Sequence, residues 1–260
     1  MKLATWNVNS LKVRLPHVLD WLAANPVDVL CLQETKQQDS DFPREELLAA
    51  GYHSVFSGQK TYNGVAILSR ALASGVQMGI PEFADEQKRV IAATFTSDAI
   101  AADVIRVVCV YVPNGQSVDS DKYYYKLGWL NALRNWLKEE LKHYPKLVVM
   151  GDYNIAPEDR DVHDPLVWQG NVLVSEAERI HFQNLIKLGL QDSFRLFEQA
   201  EKSFTWWDYR MMAFRRNHGL RIDHILISDS LVAQCKNCVI DKAPRKLERP
   251  SDHVPVVVEL

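Results

Sequence analysis

Basic excess, paired cysteines and long apolar runs are all scarce in this 260-residue chain, and each scarcity closes a class of function. Lysine and arginine total 30 against 33 aspartate and glutamate, a net charge of −3. That excludes a wholly basic, histone-like binder, while recognition of a polyanion through a local patch stays open. No stretch approaches the ~20 apolar residues of a membrane span, so no membrane role is expected. Cysteines number only four. Cys31 and Cys109 sit inside apolar runs and read as small core residues. Cys235-x-x-Cys238 lacks the second pair at finger spacing that a tetrahedral zinc site needs, so reduced thiols beside a strand edge are expected. The chain enters a strand-like run at Lys2-Leu3-Ala4-Thr5-Trp6 with no signal peptide ahead of it, which predicts a cytoplasmic protein.

What is present fits one large domain over residues 1–260. The composition, 47% hydrophobic and 24% charged, is ordinary for a globular chain, and no linker, low-complexity tract or helical-length repeat interrupts it. β-Branched runs predict strands at Leu3–Trp6, Val27–Leu32, Val65–Leu68, Val90–Phe95, Val104–Val112, Leu147–Met150, Ile222–Ile227 and Val254–Leu260. Leu15, Val18, Leu19 and Leu22 mark one amphipathic helix, and Leu130, Leu133, Leu137 and Leu141 another. Ser175 and Glu178 form a capping box ahead of a third helix, which Gly189 closes. Strands alternate with helices early, yet three strands also follow one another between residues 65 and 112. An α/β architecture of two packed mixed sheets with helices outside is therefore expected.

Chemistry gathers at the strand ends. Asn7 and Asn9 follow the first strand, Gln33-Glu34 the second, Tyr111 ends the long fifth strand, and Asp152-Tyr153-Asn154 follows the sixth. Asp223 and Ser251-Asp252-His253 instead open their strands. If those last strands run in reverse, all six sites share one edge. Such a set suits metal-assisted phosphodiester hydrolysis. A hard cation such as Mg²⁺ takes oxygen ligands, for which Glu34 is the best candidate, joined by Asp252 or an amide oxygen. Asn7, Asn154 and Tyr111 can donate to a phosphate without adding charge. Either Asp152, or His253 held by Asp223, can deprotonate a water. Singly, each residue has a structural account: a turn or cap asparagine, a strand-ending aspartate, a core histidine. Six such sites, each at a strand end with suitable chemistry, outweigh that account.

Seven segments then carry a resemblance. They are Thr5-Trp6-Asn7-Val8-Asn9, Leu32-Gln33-Glu34-Thr35-Lys36, Asn63-Gly64 through Arg70, and Tyr111-Val112-Pro113-Asn114-Gly115. Gly151-Asp152-Tyr153-Asn154 through Pro157, Gly219-Leu220-Arg221-Ile222-Asp223-His224 and Pro250-Ser251-Asp252-His253-Val254-Pro255 complete the set. Together they resemble, from Leu3 to the C-terminus, the exonuclease III family of AP endonucleases within the endonuclease/exonuclease/phosphatase superfamily. The resemblance implies a four-layer α/β sandwich, two mixed β-sheets flanked by helices. It implies Glu34 as principal metal ligand, with Asn7 and Asp252 also at the metal. Asp223 would partner His253, Asp152 and Asn154 would activate water and stabilise the transition state, and Asn7 and Tyr111 would contact phosphate. The implied cofactor is Mg²⁺, with Mn²⁺ as a substitute. The implied substrate is double-stranded DNA carrying abasic sites or blocked 3′ ends, cut 5′ to the lesion, with 3′-to-5′ exonuclease and 3′-end-cleaning activity alongside.

The substrate has its own signal. Phe204-Thr205-Trp206-Trp207-Asp208-Tyr209-Arg210, followed by Arg215, Arg216 and Arg221, interleaves aromatics with arginines, as a splayed nucleotide and its phosphates require. By resemblance, Trp206, Leu220 and Ile222 form an apolar pocket for a base-less sugar, which costs little to unstack. Trp207 reads as core. Lys36, Tyr62, Arg210 and Arg221 are expected to contact DNA, with Lys60 and Arg89 as further candidates. A secreted nuclease would be expected to show a signal peptide and disulfides, an inositol phosphatase has no positive feature here, and a non-enzymatic DNA binder would not fill every catalytic position. Asn9 stands where some relatives carry aspartate, which leaves it a supporting role. Gln116 takes the place of an arginine that wedges into DNA in some eukaryotic relatives, so strand grip is expected to differ. A monomer is expected, since DNA must lie across the active face.

Overall fold

Alternation of apolar side chains sends each central strand's residues into two different cores. In β1 (Lys2–Asn7), Leu3 joins a core between two sheets, whereas Ala4 and Trp6 join a core beneath a helix. The same division recurs in β2 (Val29–Gln33) and β4 (Val65–Ser69), which are followed in turn by β3 (His53–Ser57) and β5 (Ser74–Met78). The remaining strands are β6 (Val90–Ser97), β7 (Ile100–Tyr111), β8 (Leu147–Asp152), β9 (Leu190–Asp192), β10 (Asp223–Ser228), β11 (Asn237–Ile240) and β12 (Val256–Glu259). The computed structural model describes residues 1–97 and 100–260.

Two six-stranded sheets result, ordered β11-β12-β1-β2-β4-β3 and β5-β6-β7-β8-β10-β9. Helix α1 (Leu11–Ala24) covers the outer face of the first sheet through Leu11, Val18, Trp21 and Leu22. A short helix α2 (Arg44–Ala49) adds Leu47 to that layer. On the far side α3 (Asp121–His143) packs Trp129, Leu130, Leu133 and Leu137 against the second sheet. The turn α4 (Pro165–Trp168) precedes α5 (Glu176–Ile186), whose N-terminus carries the expected Ser175–Glu178 capping box and whose Phe182 and Leu185 enter the same core. The layers therefore run helix, sheet, sheet, helix, an α/β sandwich as expected.

Both sheets are mixed: β1 and β2 pair in parallel, as do β7 and β8, while the other pairings are antiparallel. Some expected bounds shift inward. The run from Val27 becomes a strand only at Val29, and that from Val254 only at Val256. The four strands without an advance signal, β3, β5, β9 and β11, are the four sheet edges. Among the described residues no helix is long and apolar enough to cross a membrane. All four cysteines are free thiols; Cys238 sits on edge strand β11 with its side chain in the inter-sheet core, where burial pushes the thiol up to about 12.

Candidate active site

Strand direction alone brings the six polar sites together. β10 runs antiparallel to β8, setting Asp223 opposite Asp152, and β7 runs parallel to β8, setting Tyr111 opposite Asp152. In the other sheet Asn7 ends opposite Gln33, one residue before Glu34. β12 returns antiparallel to β1, so Ser251-Asp252-His253 arrives beside Asn7, and the Ser251 hydroxyl donates to the Asn7 carbonyl at 2.7 Å.

At the centre, one ligand atom each from Glu34, Asp152 and His253 lie within 4.8 Å of one another. Asn7 Nδ2 donates to Glu34 Oε1 and to Asp152 Oδ2, both at 2.8 Å. Asp152 Oδ1 accepts the Asn154 backbone N–H at 2.8 Å, and Asn154 Nδ2 lies 3.3 Å from Asp152 Oδ2. Asn154 doubles back this way with a left-handed φ of 49°, a conformation asparagine tolerates better than most residues. His253 Nδ1 is 2.9 Å from Asp223 Oδ2, and its Nε2 faces Asp152 Oδ2 at 3.8 Å.

Burial and crowded carboxylates set the protonation states. Burial pushes Asp152 up to about 7, with Asp223 and Glu34 adding repulsion against the pull of His253 and Asn7. For His253 burial acts downward, but Asp223 and Asp152 together outweigh it and push the imidazole up to about 10. The pair therefore favours a proton on His253 over one on Asp152. Burial, then Glu34 and Asp152, hold the Tyr111 hydroxyl well above the ordinary phenol range, so it is a neutral donor. The Arg89 guanidinium lies 4.6 Å from the Tyr111 ring centroid and donates to the Tyr111 carbonyl at 3.2 Å, fixing that ring rather than facing outward.

This donor set fits a hard divalent cation. Glu34 and Asp152 offer oxygens, and the buried Oδ1 of Asp223 has no hydrogen-bond partner in the protein, an unmet acceptor of the kind a ligand or its waters satisfy. Two expected ligands do not join it. Asn7 presents its NH₂ to the two carboxylates, because its Oδ1 is occupied by the Asn9 backbone N–H at 3.0 Å. Asp252 points elsewhere: Oδ1 accepts from Asn9 Nδ2 at 2.9 Å and Oδ2 from Trp206 Nε1 at 3.0 Å. Asn9 also accepts from Lys36 Nζ, which pairs with Glu34 Oε2 at 2.8 Å.

Of the expected DNA contacts, Tyr62 (68% exposed) and the Arg210 side chain (87%) face solvent. Arg221 does not. It is 2% exposed, with Nε 2.7 Å from Asp161 Oδ1 and Nη2 2.8 Å from Asp192 Oδ2. A buried guanidinium requires such partners, and these turn it into the interior, so its assignment to DNA is corrected. The backbone of Trp206 bridges on one side to Leu220 and on the other to His253, which puts this residue beside the site. Leu220 (0%) and Ile222 (1%) are, however, fully covered within a cluster containing Val162, Leu173 and Val174. Trp207 is core, as expected.

Three supporting residues were not singled out beforehand. Asn114 Nδ2 reaches Asn154 Oδ1 at 3.1 Å, Ser251 anchors Asn7, and Thr205 Oγ1 accepts the N–H groups of both Ile222 and Asp223 at 3.1 Å. Asn114 and Ser251 lie inside quoted motifs, whereas Thr205 carries no mark beyond its aromatic neighbours.

Known proteins share this fold. Residues 4–253 match the Endonuclease/Exonuclease/phosphatase family. Exodeoxyribonuclease III of Haemophilus influenzae is 36% identical over 100% of this chain and 99% of its own length. The 3′ phosphatase NExo from Neisseria, solved bound to a product DNA hairpin, is 48% identical with a TM-score of 0.96, covering 100% of this chain and 99% of that one. An AP endonuclease from Archaeoglobus fulgidus is 39% identical with a TM-score of 0.93, covering 99% of this chain and 98% of that one. The chain belongs to the endonuclease/exonuclease/phosphatase family, as a DNA-repair nuclease of the exodeoxyribonuclease III type.

Proposed function

We propose that this protein hydrolyses the phosphodiester 5′ to abasic sites in double-stranded DNA and clears blocked 3′ ends, acting as one catalytic domain over residues 1–260, as a cytoplasmic monomer. The cofactor is Mg²⁺, which Mn²⁺ can replace. The observation that carries this reading is the contact of Asn7 with both Glu34 and Asp152, beside an imidazolium held by Asp223.

Asp152 is the base in this reading. His253, raised by Asp223 and Asp152, holds the proton of the pair, which leaves Asp152, facing it across 3.8 Å, as the acceptor. Asp152 takes a proton from the attacking water, the water oxygen bonds to phosphorus as the bond to the 3′ oxygen breaks, and the departing 3′ oxygen takes a proton from solvent. His253 and Tyr111 donate to the phosphate oxygens as charge accumulates there, while the Asn154 amide, bonded to the Val112 carbonyl and to Asp152, orients the base. A divalent cation held by Glu34 would supply Lewis-acid stabilisation of the same charge. Lys36, Tyr62 and Arg210 meet the backbone beyond the cut.

The covered state of Leu220 and Ile222 favours a second emphasis, in which 3′-end cleaning prevails over internal incision, since a terminal nucleotide needs no pocket for a flipped sugar. The 48% identity to a Neisseria 3′ phosphatase supports the same emphasis. One experiment separates these readings. The purified protein is incubated with a duplex carrying an internal abasic analogue and with a duplex ending in a 3′-phosphate, each with Mg²⁺ and with EDTA. Incision 5′ to the lesion that EDTA abolishes is the expected result. Removal of the 3′-phosphate alone establishes the second emphasis, and inertness on both sinks the function. Glu34→Ala should raise the Mg²⁺ concentration needed and lower turnover on whichever substrate is cut.

A further inference from the structure

Behind Asn154 lies a buried ion pair that the chemistry above does not use. Lys126 of α3 and Glu178 of α5 are both 0% exposed, with Nζ 2.5 Å from Oε1. The same ammonium donates to the carbonyl of Asn154 at 2.6 Å and to that of Asn114 at 3.1 Å, so its three protons all have acceptors. Glu178 is equally committed. Its Oε1 also accepts the Leu173 N–H at 3.0 Å, and its Oε2 accepts the N–H of Ser175 at 3.1 Å and the Ser175 hydroxyl at 2.5 Å. The Ser175 hydroxyl meets Tyr123, one turn before Lys126, at 2.6 Å.

Stability is a weak reason for such a pair, because matched apolar replacements of buried ion pairs are often neutral or stabilising. Its placement suggests another. The two carbonyls it binds belong to the two loops whose asparagines touch each other, Asn114 Nδ2 to Asn154 Oδ1 at 3.1 Å. Asn154 in turn contacts Asp152 through both its backbone and its side chain. The chain also makes room for the lysine: a Cβ on Gly115, whose φ is +95°, would lie 3.2 Å from Lys126 Cδ and 3.0 Å from Val172 Cγ2.

We propose that Lys126 is a positioning residue: its ammonium, fixed by Glu178, holds the Asn154 and Asn114 carbonyls and thereby sets where the Asn154 amide meets Asp152. The proposal rests on the roles given above to Asp152 and Asn154. Small displacements of such groups cost as much as about 100-fold in rate. A Lys126→Met variant leaves Glu178 buried and unpaired, so it tests the fold together with the site. The double variant Lys126→Met/Glu178→Gln removes both charges and separates them.

The expected result is a kcat at least about 10-fold lower in the double variant, with KM nearly unchanged and a thermal midpoint close to wild type. In ¹⁵N NMR spectra the Asn154 side-chain amide should shift in that variant. Recovery of kcat together with the midpoint overturns the proposal, as does a loss confined to KM. Collapse of the fold in both variants also overturns it, because the pair is then a determinant of stability. If the wild type cuts neither substrate, the proposed function fails, while the Asn154 amide signal still decides this point: an unmoved signal sinks it.

Discussion

Asp223-His224 and Asp252-His253 are the same dipeptide delivered to the same edge of the molecule, yet opposite members of each face the site. In β10, alternation sends neighbouring side chains to opposite faces. Asp223 meets His253, while His224 turns inward, accepting from Arg221 at 3.0 Å and donating to the Ile155 carbonyl at 2.8 Å. In the second dipeptide the histidine faces inward to the site and Asp252 is clasped by Asn9 and Trp206. Both rings are buried. Burial and then Arg221 nonetheless pull His224 down to about 4, whereas carboxylates push His253 up to about 10. The sign of the neighbouring charge decides, not depth. The same contrast extends outward: around His253 three carboxylates crowd together and Asp223 keeps an unmet oxygen, whereas around His224 the carboxylates Asp161 and Asp192 are matched by Arg221 and Arg195. Unbalanced charge marks the reactive region, and balanced charge the scaffold.

The comparison breaks most sharply under mutation. Asp152→Asn should lower kcat by about 10²–10⁴-fold, the usual worth of a general base, and His253→Ala by about 10²–10³-fold, that of a transition-state donor, while DNA affinity is largely kept. His224→Gln should leave kcat largely intact and cost about 1–3 kcal/mol, the penalty of disturbing a buried, fully bonded ring. Single-turnover kinetics and denaturant unfolding measure the two effects. A His224 variant that folds normally but fails to cut would erase the distinction.

Titration sharpens it. In His253 the folded-state value is raised from 6.5 to about 10, so the native state holds the proton more tightly. Its contribution to stability is full below about 6.5 and is lost as pH rises through about 10. In His224 the value is lowered from 6.5 to about 4, so the unfolded chain binds the proton more readily. Its contribution is full above about 6.5 and is lost as pH falls toward about 4. Imidazole NMR should therefore show two ring signals titrating at opposite ends of the range. A His253 midpoint near 6.5 would mean the ring is free at neutral pH and would return it to the role of base.

Such contrasts lie at the limit of what the residues announce. The eight interior strands were legible because both faces of each are buried, leaving apolar β-branched runs. His53-Ser54-Val55-Phe56-Ser57 and Ser74-Gly75-Val76-Gln77-Met78 were not, since an edge strand with one wet side mixes polar with apolar residues. The catalytic set was legible because strand ends are fixed by register. What sequence could not give is the direction of each side chain. The Asn7 amide turns its nitrogen to the carboxylates, and Arg221, set among arginines and aromatics, points inward because Asp161 and Asp192, distant in sequence, wait there.

The two arginines once grouped as DNA contacts complete the comparison at its smallest scale. Arg221→Met should cost about 3–5 kcal/mol, because it takes the guanidinium from Asp192 and leaves Asp161 with Arg195 alone, while leaving the salt dependence of DNA binding unchanged. Arg210→Ala should do the reverse. Its side chain is 87% exposed and its only acidic neighbour among the described residues, Asp208, stands 3.9 Å away, so stability should stay within about 0.5 kcal/mol. If Arg210 meets a phosphate, the slope of log affinity against log salt should become shallower by about 1, the share of one neutralised phosphate. Affinities measured across a salt series on one duplex read this directly. A slope equal to wild type would leave Arg210 a solvated surface charge and shift the grip on the backbone to Lys36 and Tyr62.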